Sequence, residues 1–306
     1  MSAASFAAAL VLRVLPRAAL GRAVGRLADR PWSPWLERTV VGAYAQVYGI
    51  SFDECLQSSG WATFDDFFTR RLRPDTRHVD PDPSSVVSPS DGVIAAAASV
   101  ASTGRFIVKN RTYRVAELVG DASAAQRFSD GVGWVIYLSP RDYHRVHAPV
   151  GGSIRRIRSM AGEYYPVNAV GTRHVGNLLG RNRRVAIDFD ADRGRGCVTV
   201  VMVGAMAVGR ITTIGIAGRD VPVGHHVFDP PLRVERGQEV GAFHLGSTVV
   251  LLVEKASAED RVARGGTVRY GQPLLRSGDK VLRGSRLNGV APAVADGSGS
   301  SLRGEG

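Results

Sequence analysis

A hydrophobic share of 44% in 306 residues supplies a sizeable core and excludes a disordered or fibrous chain. The formal net charge of +11 bears on partners rather than fold. Without zinc-finger spacing, an RNA-recognition aromatic motif or a helix-turn-helix pattern, it points away from nucleic acid and toward an anionic membrane surface or an acidic ligand. Two widely separated cysteines, Cys55 and Cys197, exclude a disulfide framework and a thiolate metal site, and fit a reducing, cytoplasmic compartment.

The segment Met1–Ala28 has no Asp or Glu but carries Arg13, Arg17, Arg22 and Arg26. After Pro16, a helix would set Leu20, Val24 and Leu27 on one face and Arg22, Arg26 and Arg30 roughly opposite. Such a helix can lie on an anionic bilayer or pack on the protein itself. Arg13 and Pro16 interrupt the apolar run before the ~20 residues that a membrane span needs. Met1–Leu12 lacks the positive charge that precedes the apolar core of a signal peptide. A second helix is predicted over 34–50; the Trp32-Ser33-Pro34-Trp35 segment before it suits either a membrane interface or a packed corner.

Phe64 to Arg73 reads as a short helix stopped by Pro74, followed by a Pro/Asp-rich link over 75–83. Short Val/Ile runs then predict strands at 86–87, 93–94, 105–108, 134–138, 185–189 and 198–203. The charge-free stretch 196–209 predicts a strand buried on both faces. The Gly/Ser/Ala-rich tail 286–306 is expected to be disordered. The fold class expected is α+β, with N-terminal amphipathic helices near a predominantly antiparallel β core. The expected division is a helical membrane-associating region over 1–60, a β-rich catalytic domain over 61–285, and the tail.

Three segments carry chemistry. Ser88-Pro89-Ser90-Asp91-Gly92 contains an Asp-Gly turn signal. Leu138 to Pro149 holds Asp142, His144 and His147 just after an apolar strand, a pattern suited to acid–base work. A metal site from Asp142, His144 and His147, joined by His225, His226 or His244, is the weaker alternative, since no HExxH-type helix accompanies them. Gly246-Ser247-Thr248 stands at the entrance to an apolar β-run, so Ser247 completes a possible Asp–His–Ser set. The Gly-x-Ser-x-Gly elbow of a serine hydrolase is missing.

Together these segments resemble the phosphatidylserine decarboxylase family of self-cleaving, pyruvoyl-dependent proenzymes. The resemblance runs from about Phe64 to Gln272. It includes Phe67-Phe68-x-Arg70, Pro89-Ser90-Asp91-Gly92, the run Tyr137 to His147, Val167-Asn168, Arg181-Asn182-x-Arg184-Val185, Val203-Gly204-Ala205 and Leu245-Gly246-Ser247-Thr248. It implies that His147, oriented by Asp91, takes the Ser247 proton, and that the Ser247 oxygen attacks the Gly246 carbonyl. Gly246 offers no Cβ to obstruct that attack and tolerates a strained backbone. The ester would eliminate, leaving a β chain, 1–246, and an α chain beginning at residue 247 as a covalent pyruvoyl group.

The implied reaction is conversion of phosphatidylserine to phosphatidylethanolamine and CO2 through a Schiff base to that group, with His144 serving the decarboxylation half. The implied partners are phosphatidylserine in an anionic membrane, the α chain paired with the β chain, and a possible homodimer of the processed pair. The implied location is peripheral, on the cytoplasmic face of the cell membrane, with no metal and no nucleic acid. Rival readings are a serine hydrolase using the same three residues, a non-catalytic β-rich membrane adaptor, and a family decarboxylase with another amine substrate.

Overall fold

Two charge-free runs form adjacent strands at the centre of the molecule. In the computed structural model, which describes residues 17–108, 111–167, 171, 174–205, 210–256 and 261–276, Ser247–Val253 is buried at every position and Cys197–Gly204 at all but Cys197. The strands are β1 (Val86–Val87), β2 (Gly92–Ser99), β3 (Arg105–Val108), β4 (Arg111–Arg114), β5 (Val132–Leu138), β6 (Arg145–His147), β7 (Gly152–Met160) and β8 (Arg184–Ala191). They continue with β9 (Cys197–Gly204), β10 (Arg210–Thr213), β11 (Gly224–Val234), β12 (Glu239–His244), β13 (Ser247–Val253), β14 (Arg261–Val262), β15 (Thr267–Val268) and β16 (Pro273–Arg276). The helices are α1 (Arg17–Ala28), α2 (Pro34–Tyr48), α3 (Phe64–Phe68), α4 (Val115–Val119), α5 (Ala124–Arg127) and α6 (Leu178–Arg181).

An eight-stranded antiparallel sheet has the order β11-β7-β8-β9-β13-β5-β2-β15. Smaller sheets β10-β12-β6 and β1-β16-β14 and the hairpin β3-β4 complete it. The architecture is α+β. Both faces of the large sheet are covered, so its central strands are continuously apolar rather than alternating. Val249, Leu251 and Val253 face one core with Trp134, Ile136 and Phe243. Val250 and Leu252 face the other with Phe106, Leu118 and Val201.

One charged pair is buried within this sheet. Arg158 donates to both Asp188 oxygens at 2.6 and 2.8 Å, and Thr199 Oγ1 donates to Asp188 at 2.8 Å. Breaking such a buried pair on one side costs roughly 3–5 kcal/mol, because the other charge stays behind without a partner.

Helix α2 opens on Pro34 and ends at Gly49, whose φ of +65° is the left-handed C-terminal cap. An aromatic cluster of Trp61 and Phe67, with Trp32, Tyr44, Phe52 and Phe64 against it, joins α2 to α3. At the Trp32–Trp35 corner Trp32 is packed, 5.9 Å from the Phe64 ring, whereas Trp35 is 69% exposed. Helix α3 is shorter than predicted. It begins at the Thr63 cap, whose hydroxyl accepts the Asp66 N–H at 3.0 Å, and ends at Phe68. Arg70 then turns inward instead of continuing the helix. The tail 286–306 lies outside the described residues.

Candidate active site

The register of the large sheet places Ser247. It opposes Leu138, the last residue of β5, on one side, and Gly204, the last of β9, on the other. The histidine segment 139–147 therefore leaves β5 at the level of Ser247. A second tether holds the other side of the Gly246–Ser247 bond, where the Phe243 N–H donates to the His144 carbonyl at 2.9 Å. Buried Asn182 fixes the facing strand end by donating to the carbonyls of Gly204 at 2.9 Å and Tyr165 at 2.8 Å.

The bond to Ser247 sits at the passage from β12, in a three-stranded sheet, to β13, in the large one. The backbone strain there is on Leu245, at φ +95°, and not on Gly246 as the sequence suggested; Gly246 is absent from the left-handed region. A non-glycine residue held there stores about 1–3 kcal/mol. A Cβ at Gly246 would meet nothing within 4 Å, so the space beside its Cα is open. Ser247 is 1% exposed, and its Oγ has no hydrogen-bond partner among the described residues. A buried hydroxyl without a partner is costly and calls for a reason.

His144 is fully buried. Its Nδ1–H donates to the Asp142 carbonyl at 2.8 Å, which leaves Nε2 as a lone pair without a partner among the described residues. Burial first, and the Arg70 charge second, push its pKa down to about 3, so it is neutral. The Phe67-Phe68-x-Arg70 motif supports it. The Phe68 ring lies 4.1 Å from the imidazole, and Arg70 Nη2 donates to the carbonyls of Arg141 at 2.7 Å and Asp142 at 3.2 Å.

His147 lies on β6, nearly buried. Its Nδ1–H donates to the Gly237 carbonyl at 2.7 Å, and its Nε2 is 3.2 Å from the Tyr143 hydroxyl. Burial is the main force holding its pKa below the ordinary imidazole value. Asp91 is nearby but does not hydrogen-bond it among the described residues. Arg77 donates to the carboxylate by Nε at 3.1 and 3.2 Å and by Nη2 at 2.6 Å, and the Tyr270 N–H donates at 2.9 Å. The adjacent Gly92 needs to be glycine, since a Cβ there would fall 2.5 Å from the Tyr137 carbonyl oxygen.

Among the described residues no three His, Cys, Asp or Glu side chains converge as a metal-binding group. Asp142 instead accepts from the Ser139 N–H at 2.7 Å and Oγ at 2.8 Å, and His225 and His226 lie on edge strand β11.

Reasoning from sequence missed a second network beside the Gly246–Ser247 segment. Asp65 accepts from His244 Nδ1 at 2.8 Å, and His244 Nε2 meets Thr212 Oγ1 at 3.2 Å. Arg210 bridges Asp65 to Asp29, just after α1. The partners lie on four separate segments, so no local signal announced them.

The family model for phosphatidylserine decarboxylase matches residues 64–276. The chain belongs to the phosphatidylserine decarboxylase family. Members of this family are carboxy-lyases. The chain is 39% identical to the phosphatidylserine decarboxylase proenzyme of Anaeromyxobacter sp. strain K, over 86% of this chain and 95% of that one. It is 38% identical to the proenzyme of Acinetobacter baumannii, over 80% and 87% of the two chains. It is 36% identical to that of Azotobacter vinelandii, over 85% and 94%. The matched span of the family model includes Asp91, His144, His147 and the Gly246–Ser247 bond. The word proenzyme in these names describes relatives that undergo processing.

Proposed function

We propose that this chain is a phosphatidylserine decarboxylase proenzyme that cuts itself between Gly246 and Ser247. The mature protein then acts through a Schiff base to a pyruvoyl group made from Ser247. One observation carries this reading: a fully buried, unpartnered serine hydroxyl opens the central strand, directly after a strained residue and an open glycine. Cleavage releases the Leu245 strain and uses the hydroxyl that the fold leaves unsatisfied. Position 247 also fits a pyruvoyl group, since the side chain there makes no hydrogen bond of its own, and His144, on the segment that leaves β5 at the level of Ser247, carries an Nε2 without a partner among the described residues.

In self-processing, His147 takes the Ser247 hydroxyl proton as the Oγ–C bond to Gly246 forms and the Gly246–Ser247 amide bond breaks. The Nδ1–H bond to Gly237 fixes the tautomer with its lone pair on Nε2, and burial keeps the ring neutral. Tyr143 must yield that lone pair to Ser247 during the reaction. Loss of the Ser247 Cα proton expels the Gly246 carboxylate and leaves dehydroalanine, which takes up one water and releases ammonia to complete the change. The pyruvoyl carbonyl supplies an electrophile for the substrate amine and an electron sink when CO2 leaves. His144 Nε2 serves the decarboxylation half by relaying a proton to the headgroup carbon after CO2 has left.

Residues 1–60 are read as the membrane-associating region and 61–285 as the catalytic domain. Among the described residues no helix is long and apolar enough to cross a membrane. Leu27, Trp35 and Val47, in helices α1 and α2, and Leu56, in the connection to α3, are exposed apolar side chains. With the net charge of +11, they support a peripheral site on an anionic, cytoplasmic membrane face. The processed α and β chains would stay paired through β13, which remains between β5 and β9, and the pair could dimerise.

Purified protein mixed with phosphatidylserine vesicles should release CO2 and accumulate phosphatidylethanolamine. Labelling of Ser247 by a fluorophosphonate, without either product, would replace this reading with a hydrolase. Removing residues 1–26, which spares the Asp29–Arg210 pair, should weaken sedimentation with anionic vesicles while self-cleavage continues. Undiminished sedimentation would refute the membrane assignment of that segment.

A further inference from the structure

We propose that Tyr270 is the positioning residue through which Asp91 acts on His147. The inference rests on His147 being the self-processing base. Asp91 spends its carboxylate on Arg77 and on the backbone N–H of Tyr270. The Tyr270 ring then lies flat on the His147 imidazole, with centroids 3.7 Å apart and planes 2° from parallel. Of the ring pairs among the described residues, this is the closest and the most nearly parallel. Asp91 thus fixes the backbone at Tyr270, and the ring of Tyr270 fixes the plane of the imidazole.

The remaining contacts leave this task to the stack. Gly237 and Tyr143 each hold one ring nitrogen at the edge of the imidazole, and contacts to edge atoms oppose tilting of the ring less than a partner on its face does. A flat partner at van der Waals distance opposes such tilting. Tyr143 adds a looser stack, with its centroid 5.7 Å from both His147 and Tyr270. Arg77 is buried and is also anchored by Glu54 at 2.8 Å, so Asp91 holds position 270 from a rigid base. The same ring shields His147 from water, and desolvation is the main cause of its lowered pKa.

The arrangement crosses the cut. Tyr270 belongs to the segment that becomes the α chain, whereas Asp91 and His147 belong to the β chain. The charged and titratable groups around His147 are Asp91 with Arg77 behind it, Glu239 on the neighbouring strand β12, Arg145 on the same strand as His147, and Tyr143 and Tyr270. None of these except Tyr270 is altered in the test, so a shift in the pH profile reports on the stack.

The test follows self-cleavage of the full chain after cell-free translation is stopped, across a range of pH, with the 247–306 fragment measured by mass spectrometry. Tyr270→Phe keeps the stack and the N–H and should match wild type in rate and pH profile. Tyr270→Ala should cleave about tenfold to a hundredfold more slowly at neutral pH. Its acid limb should move upward, toward the ordinary imidazole pKa of about 6.5, as water reaches the ring. The direction follows from the chemistry: cleavage requires neutral His147, so a higher pKa stops it at a higher pH. Tyr270→Leu keeps the bulk and guards against misfolding; it should also be slow, with a smaller shift. Wild-type rates and an unmoved limb in both Ala and Leu variants, with His147→Ala inactive, would overturn the inference while leaving the base assignment in place. Cleavage by His147→Ala would overturn the base assignment and the inference with it.

Discussion

Replacing Ser247 by alanine is expected to leave one full-length chain and reduce phosphatidylethanolamine formation to background. Both losses follow from one atom. Without Oγ no ester can form to Gly246, so the amide bond survives and no pyruvoyl carbonyl appears. The structure makes this substitution unusually clean. Ser247 Oγ has no hydrogen-bond partner among the described residues, so its removal strands no donor or acceptor. Deleting a buried polar group that lacks a partner is near neutral or stabilising. The variant should therefore melt at or slightly above the precursor's temperature. Intact mass spectrometry of both proteins gives the result directly: two masses for wild type, the smaller starting at residue 247 without an amine, and one mass for Ser247→Ala. A single mass for wild type under the same conditions, or two masses for the variant, would refute self-processing at this bond.

Much of the large sheet could be read from composition, because burial on both faces demands uninterrupted apolar residues. Val198–Val203 read as a strand in a stretch buried on both faces and the residues after Ser247 as an apolar β-run, and both prove to be central strands. Strand order was not legible, since register between strands far apart in sequence depends on packing. Strand β11 was not foreseen, because Pro230 and Pro231 argue against an interior strand; it lies at the sheet edge, where proline is tolerated. Helix α3 was read too long because Pro74 looked like its stop, whereas the chain leaves the helix at Phe68 so that Arg70 can reach the carbonyls of residues 141 and 142. In the site, rare residue types in motifs drew attention to Asp91, His144, His147 and Ser247. Tyr270, Arg77 and Gly237 escaped because their roles come from contacts made across the fold. The expectation that Asp91 directly orients His147 came from the family resemblance. The structure shows that carboxylate bonded to Arg77 and to the Tyr270 backbone.

The two histidines should separate when mutated. His144→Ala is expected to yield normal α and β chains while losing nearly all decarboxylation, a drop of about a hundredfold or more for a proton carrier. The assignment rests on the difference between their free nitrogens. His147 Nε2 has a hydroxyl neighbour and a tautomer fixed by Gly237, as a base for a serine hydroxyl needs. His144 Nε2 is bare, fully buried and held neutral by burial and by the charge of Arg70. Once protonated there, it is a strong acid, suited to returning its proton quickly to a carbanion. Removing the imidazole also leaves a cavity beside Phe68, so His144→Gln, which keeps a polar side chain of similar size, separates lost chemistry from lost packing. Two intact chains with little phosphatidylethanolamine from either variant would support the division of labour. An uncleaved His144→Ala beside a cleaved His147→Ala would exchange the two roles. Normal cleavage with full turnover in His144→Ala would remove His144 from the reaction altogether.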